Sequence, residues 1–376
     1  MADNTTASLS DASNLPGLDV SSRRTSANQQ SSNSSRVLPI SSLRFVLAAI
    51  VVLGHLGAPP LGIPRYGLFL VARGVVNNLF DGPAAVIVFF VISGFCIHFP
   101  NRNGLATSSW KAYYARRYIR ILIPMTVAIA LAPFLHFQFS LFSNFILWSL
   151  LCEEIYYFLY PAILAVQSRI GWPRLLALTG ALSLCVILTN PHFSDYWSYG
   201  PRLNWLLGLP CWLMGCHLAA RFDVVQQREV SPKQIWIWRL GAWGLSIILA
   251  LAAYHTPIGF PWTLNLFAIY GVIWMEREIA FYRNRPAPLF EGVGEASYSM
   301  YLVHIHGFKL AAILGVAAFS EKTAWVLTLV ICAIFATLFY SLVERPSHRL
   351  ARKLGRSKKQ DDASPPELRS VASMGS

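Results

Sequence analysis

Ten apolar segments, each long enough or nearly long enough to form a membrane-crossing helix, occupy the chain between residues 43 and 343. A helix needs about 20 mostly apolar residues to cross a hydrocarbon core of about 30 Å. Only 13% of the residues are charged, whereas soluble domains usually carry about 25%. We therefore predict an all-α polytopic membrane protein with about ten transmembrane helices. The segments lie near 43–63, 83–99, 118–137, 141–165, 174–190, 202–220, 236–254, 258–275, 295–319 and 323–343.

The lysines and arginines predict how these helices are oriented, because cytoplasmic loops of membrane proteins are enriched in both residues. With both termini in the cytoplasm, most of the 31 basic residues fall in cytoplasmic segments. The loops on the other side then hold only Arg65, Arg73, Arg202 and Lys322. The net charge of +13 is therefore a sign of topology, and it does not predict a nucleic-acid partner.

Two polar segments flank the apolar region. Residues 1–40 are serine-rich and residues 346–376 are basic, so neither can bury enough apolar surface to fold, and we predict disordered tails. We predict that the remaining residues, 41–345, form one transmembrane domain. All six cysteines fall in apolar segments and none forms a CxxC pair, so the sequence predicts no metal site.

The first apolar segment carries two polar side chains, Arg44 and His55. Eleven residues are about three helical turns, so both lie on nearly the same face, about 16 Å apart along the axis. If Arg44 lies at a membrane surface, His55 lies near the middle of the bilayer. A titratable ring at that depth is costly unless it faces a cavity or a partner. A histidine that is merely hydrogen bonded inside the bundle remains the alternative.

The third apolar segment begins with Arg116, Arg117 and Arg120. Arg117 and Arg120 are at positions i and i+3, so they share a helix face, whereas Arg116 points elsewhere. A guanidinium group suits phosphate oxygens. Arginines that only anchor a helix end at the membrane surface are the alternative explanation.

Two further polar groups are predicted at similar depth. Glu153 and Glu154 lie well inside the fourth segment, and Glu153 is about 18 Å along the helix from residue 141. A carboxylate that orients an imidazole makes it a general base, so we expect Glu153 to face His55 and Glu154 to point to another side. His304 lies about 14 Å along the ninth segment. An interhelical ion pair for Glu153 and a structural role for His304 remain alternatives.

Together these residues resemble the acyltransferase-3 family of membrane-bound acyltransferases. The resemblance covers residues 40–350 and rests on the order and spacing of several motifs. These are Arg44 and His55 in an Arg-x10-His pattern, FFVISGF at 89–95, Arg117 and Arg120 before ILIP, WSLLCEEIYYFLYP at 148–161, SYSMYLVH at 297–304, and ERP at 344–346. In FFVISGF, the Ser93-Gly94 pair also predicts a close approach between helices.

The resemblance implies an O-acyltransferase in the bacterial cytoplasmic membrane. Its donor would be acyl-CoA, usually acetyl-CoA, and its acceptor a hydroxyl of a glycan or glycolipid, with no metal. Arg117 and Arg120 would hold the donor, and Arg44 would contact it or fix the helix. His55 would deprotonate the acceptor or accept the acyl group itself. Glu153 would orient His55 and stabilise its cation, and His304 would contribute to substrate binding.

Two other functions fit parts of the sequence. A transporter or flippase could use intramembrane His, Glu and Arg side chains as a proton relay. Such proteins often contain inverted repeats or matching broken helices, which we do not find in this sequence. A non-catalytic receptor does not explain why a histidine and a glutamate lie at the same depth in the membrane.

The polar loop 64–82 could contact the acceptor on the outer side.

Overall fold

A computed structural model describes residues 39–64, 66–102, 110–139 and 146–353. Within these ranges the regular structure is entirely helical, as the sequence predicts. The α-helices are α1 Ile40–Leu56, α2 Phe69–Asn77, α3 Gly82–His98, α4 Trp110–Leu131, α5 Leu147–Thr189, α6 Gly200–Ala220, α7 Phe222–Val225, α8 Pro232–His255, α9 Phe260–Tyr282, α10 Ser297–Ile313 and α11 Glu321–Phe339.

Each of the ten predicted apolar segments overlaps a helix in the described residues, although the first segment is helical only to Leu56. Two of the segments share α5, which breaks at Gly171, where φ is 78°. Glycine adopts this left-handed conformation without steric cost, and Pro173 follows two residues later. The break divides α5 into two helical parts.

Six helical stretches in the described part of the chain are long and apolar enough to cross a membrane. They are Phe69–Asn101, Trp110–Leu135, Leu147–Thr189, Tyr196–Ala220, Pro232–His255 and Glu321–Lys353. Helix α1 is apolar but has only 17 residues. The protein is therefore an integral membrane protein by the character of its helices, while the count of ten spans and the cytoplasmic position of both termini remain predictions.

Two helix ends differ from the sequence prediction. Helix α1 stops at Leu56 and Gly57 follows with φ 90°, so His55 lies in the last helical turn and not in mid-helix. The last helix passes through a π-helical turn at Tyr340–Glu344 and continues to Lys353. The extra residue in that turn accommodates Pro346, which has no N–H for a regular helical bond. The C-terminal tail predicted from residue 346 therefore begins with helix, and residues 1–38 and 354–376 lie outside the described residues.

Helix α3 is the centre of the bundle, with most of its side chains buried. It packs against α1, α6 and α9, while α10 packs against α1 and α11, and α5 packs against α6. The closest approach joins α3 to α6, because a Cβ atom on Gly94 would overlap the backbone of Trp212. A Cβ atom on Gly215 would likewise overlap the backbone of Val91. Small residues permit this contact, as the Ser93-Gly94 pair predicts.

Candidate functional site

Three of the predicted arginines line a single cavity with Glu153. Arg44 comes from the start of α1, Arg117 and Arg120 come from α4, and Glu153 comes from α5. We call this space, of about 220 Å³, the arginine cavity. Its lining includes three positive charges and one negative charge among the described residues, so it favours an anionic ligand. Arg116 is exposed and is not part of the lining, in agreement with the helical spacing.

Glu153 is held by a chain of hydrogen bonds along the wall of the arginine cavity. The Tyr157 hydroxyl donates to Glu153 Oε2 at 3.1 Å. The Ser93 hydroxyl lies 2.7 Å from the Tyr157 hydroxyl, and the Trp212 indole N–H donates to Ser93 Oγ at 3.2 Å. Because Tyr157 gives its only proton to Glu153, Ser93 must donate to Tyr157. Ser93 therefore has a polar role in addition to packing.

Arg120 is fixed by residues beyond the predicted domain end. Its Nε donates to His348 Nε2 at 2.9 Å. His348 lies 3.4 Å from Glu344, which is fully buried and accepts a hydrogen bond from the Ser299 backbone N–H at 3.0 Å. Glu344, the first residue of the ERP motif, therefore joins α10 to the last helix.

His55 lines a second, larger space of about 490 Å³, which we call the histidine cavity. Its ring stacks on that of His304, with centroids 5.0 Å apart and an angle of 17° between the planes. His304 Nε2 lies 3.0 Å from His55 Nδ1. His304 is 0% exposed, whereas His55 is exposed. The accessible ring therefore belongs to His55, with His304 packed behind it.

The hydrogen bonds of the two rings define their tautomers. His304 Nδ1 lies 2.7 Å from the Tyr301 backbone carbonyl, which can only accept, so this nitrogen carries a proton. In the neutral ring, His304 Nε2 is then an acceptor, and His55 Nδ1 must donate to it. In the neutral His55 ring, Nε2 is then the nitrogen without a hydrogen, and the His55 side chain also interacts with the Val51 backbone. A nitrogen without a hydrogen is what a general base needs.

The structure does not bring His55 and Glu153 into hydrogen-bond contact. His55 bonds to His304, Glu153 bonds to Tyr157, and the two side chains line different cavities. Both were predicted at a similar depth in the membrane. The rise of a helix fixes height only, and lateral position depends on packing: α1 packs against α3 and α10, whereas α5 packs against α6. The expectation that Glu153 directly orients His55 is therefore wrong.

Two side chains, Val86 and Tyr301, line both cavities and form the wall between them. Tyr301 is held firmly, because its hydroxyl donates to the Ile146 carbonyl at 3.0 Å and lies 2.6 Å from Ser149 Oγ. Arg44 and His55, at the two ends of α1, belong to the two cavities on either side of this wall. A reaction between ligands in the two cavities would have to occur at Tyr301.

The structure places several polar residues differently from the sequence prediction. His304 lines neither cavity and contacts His55 instead of a ligand, so its predicted role in substrate binding is not supported by its position. His348 was assigned to a tail, and no spacing rule links it to Arg120, 228 residues away. Asn77, Asn78 and Asp81 of loop 64–82 line the histidine cavity, and the contact of this loop with the acceptor stays a prediction. Arg65 lies outside the described residues.

Comparison with known families identifies the domain. The family model of the acyltransferase domain matches residues 40–344, which is most of the chain and includes all six predicted site residues. The match favours a membrane acyltransferase over the transporter alternative. Neither a curated protein nor a solved structure matches the chain significantly.

Proposed function

The chain belongs to the acyltransferase-3 family, and we propose that it transfers an acyl group from cytoplasmic acyl-CoA to a hydroxyl of a glycan or glycolipid. The observation that carries this proposal is the pair of adjoining cavities. One is lined by three arginines and the other by an accessible histidine in the tautomer of a general base. We place the enzyme in the bacterial cytoplasmic membrane and take acetyl-CoA as its donor.

In this proposal, the donor enters the arginine cavity. The guanidinium groups of Arg117 and Arg120 bind phosphate oxygens through charge-assisted hydrogen bonds. A volume of about 220 Å³ is below the usual range of about 300–1,000 Å³ for a whole ligand site, so the cavity holds only part of the donor. Arg44 lies on the same wall and balances Glu153, which also interacts electrostatically with Arg117. Glu153 thus keeps these arginines in place.

The acceptor hydroxyl binds in the histidine cavity beside His55. His55 Nε2 takes the hydroxyl proton, and the acceptor oxygen attacks the thioester carbonyl carbon at the wall formed by Tyr301. The C–S bond then breaks, the coenzyme leaves as a thiolate, and the thiolate recovers the proton from His55. The products are an ester and free coenzyme A.

His304 is a positioning residue in this mechanism. It holds His55 in one tautomer through the Nδ1 hydrogen bond and fixes the plane of the ring by stacking. When His55 is protonated, the His304 lone pair at Nε2 and the Tyr301 carbonyl beyond it stabilise the cation. This is the task that a carboxylate performs in a serine hydrolase triad.

The test uses purified protein in detergent with labelled acetyl-CoA. General-base catalysis contributes about 10²–10⁴-fold to a rate, so His55→Ala should lower transfer by that factor without altering thermal stability. Glu153→Gln should reduce transfer by weakening donor binding. Glu154→Gln is its control, because Glu154 is not part of the arginine cavity lining. Near-normal turnover in His55→Ala, or loss only through unfolding, contradicts the proposal.

A second experiment, in cells, is designed to identify the acceptor. Surface glycans from cells with and without the gene are compared by mass spectrometry. We expect one sugar to lose the mass of a single acyl group when the gene is absent. Unchanged glycans and glycolipids would argue against this class of acceptor.

A further inference from the structure

Asp81 is a buried carboxylate with one oxygen that has no partner. The residue precedes α3 and is 6% exposed. Its Oδ1 accepts a hydrogen bond from the Ala84 backbone N–H at 3.3 Å and so caps the helix. Its Oδ2 is buried and has no hydrogen-bond partner among the described residues. Capping explains the first oxygen and leaves the second unexplained.

An unsatisfied buried carboxylate oxygen is costly, because it gives up its hydrogen bonds to water. Asp81 lines the histidine cavity together with His55, and it also lines a separate cavity that is mostly apolar. A ligand in that cavity can therefore supply the missing donor, and a carboxylate at the site of a bound ligand accepts hydrogen bonds from hydroxyl or amine groups.

A close backbone contact holds Asp81 and His55 on the same wall of the cavity. A Cβ atom on Gly54 would lie only 2.6 Å from the Phe80 carbonyl oxygen and 3.5 Å from the Gly82 nitrogen. Only a glycine permits this approach between the end of α1 and the start of α3. His55 follows Gly54 and Asp81 follows Phe80, so the contact sets the position of both side chains.

The remaining lining of the histidine cavity fits a sugar. Aromatic rings are abundant, and they can pack against the apolar C–H face of a sugar ring while carboxylates and amides bind its hydroxyls. Asp195 supplies a second carboxylate, and no lysine or arginine occurs among the described lining residues. The aromatic side chains besides His55 are Phe80, Trp148, Tyr196, Trp197, Tyr254, Phe260 and Tyr301. Two carboxylates without a balancing cation disfavour an acidic ligand.

We propose that Asp81 binds the acceptor and sets its specificity. Its Oδ2 accepts a hydrogen bond from a hydroxyl that neighbours the hydroxyl deprotonated by His55, and the acylated sugar carries no carboxylate. This inference rests on the proposed transfer reaction and adds to it the residue that selects the acceptor.

The experiment uses the full chain, purified in detergent, with labelled acetyl-CoA. The acceptor probe is the total glycan and glycolipid extract of cells that lack the gene. Asp81→Ser retains an oxygen that can cap α3 but removes the second oxygen, and Asp81→Asn retains the cap and replaces Oδ2 with an amide. Asp223→Asn is the control, because Asp223 is exposed and pairs with Arg102 away from the cavities.

Losing a hydrogen bond to a charged group should raise the half-saturating amount of extract about 10- to 150-fold in Asp81→Ser. The half-saturating concentration of acetyl-CoA and the melting temperature should stay unchanged in both variants. Mass spectrometry of the labelled product should show the acyl group on a sugar without a carboxylate.

The outcomes separate the two proposals. Suppose that the wild-type protein transfers the label, that His55→Ala does not, and that both Asp81 variants have the same half-saturating amount of extract as the wild type. The role of Asp81 is then refuted, and the transfer reaction stands. Equal losses in acceptor and donor use, or lower stability in both variants, would make Asp81 only a helix cap and refute its binding role. An acylated uronic acid would refute the specificity. If the wild-type protein transfers no label, the proposed reaction fails, and the role of Asp81 fails with it.

Discussion

Replacing His304 tests whether the two stacked histidines act as a unit. The proposed role of His304 depends on one hydrogen bond, 3.0 Å long, between its Nε2 and His55 Nδ1. His304→Ala removes both this acceptor and the ring that stacks on His55. His304→Gln places an amide oxygen near the position of Nε2, so it can still accept from His55, although it cannot share the positive charge.

The size of the effect follows from that bond. A hydrogen bond to a charged group contributes about 1.5–3 kcal/mol, and about 1.4 kcal/mol corresponds to a factor of ten in rate. We therefore expect His304→Ala to lower kcat about 10- to 150-fold, with little change in the KM for acetyl-CoA. His304→Gln should retain more activity than His304→Ala, because the tautomer of His55 is still defined.

The control is His306, which lies on the same helix and is also 0% exposed. Its Nε2 donates to the Ala128 carbonyl at 2.8 Å, and its ring packs against Phe137 and Phe139, so it lines neither cavity. His306→Ala removes a buried ring and a hydrogen bond of similar kind. It should lower thermal stability as much as His304→Ala does, with a smaller loss of kcat per folded molecule.

The assay is steady-state transfer from acetyl-CoA by purified variants, normalised to folded protein by a thermal unfolding measurement. Equal kcat losses in His304→Ala and His306→Ala would show that both effects come from packing. Full activity in His304→Ala would show that His55 needs no partner. Either result refutes the reasoning from the two tautomers.

Three further predictions concern the donor, the packing and the topology. Arg120→Ala should raise the KM for acetyl-CoA about 10- to 150-fold, since it loses a charge-assisted contact with the donor. Arg116→Ala should leave this KM unchanged, and equal effects of the two substitutions would mean that both arginines only anchor the helix. Gly94→Ala should prevent normal accumulation, because its Cβ would overlap the Trp212 backbone, whereas Gly244→Ala, which has open space, should be neutral or stabilising in a thermal unfolding assay. A cysteine at Ser373 should resist an impermeant thiol reagent in intact cells, and labelling there would contradict a cytoplasmic C-terminus.

The sequence alone determined which segments are helices and which helix faces carry charge. Apolar residues in runs of about 20 leave few alternatives to helices in a membrane, because every backbone polar group must be satisfied within its own segment. Spacing along one helix was equally informative. Arg117 and Arg120 share a helix face that Arg116 does not share. Of these three arginines, only Arg117 and Arg120 line the arginine cavity.

Only the tertiary structure decided which polar groups meet. Helical rise gave a height for His55, Glu153 and His304, and these heights are similar. Height carries no information about rotation around the bundle or about neighbouring helices. Because α1 packs against α10, His55 meets His304, 249 residues later in the chain, and not Glu153.

The same limit applies to helix ends and to Asp81. The sequence predicted that the transmembrane domain ends at residue 345. The last helix instead forms a π-helical turn before Pro346 and continues, which brings His348 to Arg120. The sequence placed Asp81 in a polar loop that could contact the acceptor. Its buried, unpartnered Oδ2 and the close contact of Gly54 with the preceding residue, Phe80, are visible only in the tertiary structure. Local propensity determines the helices, and long-range packing between them decides where two side chains become a site.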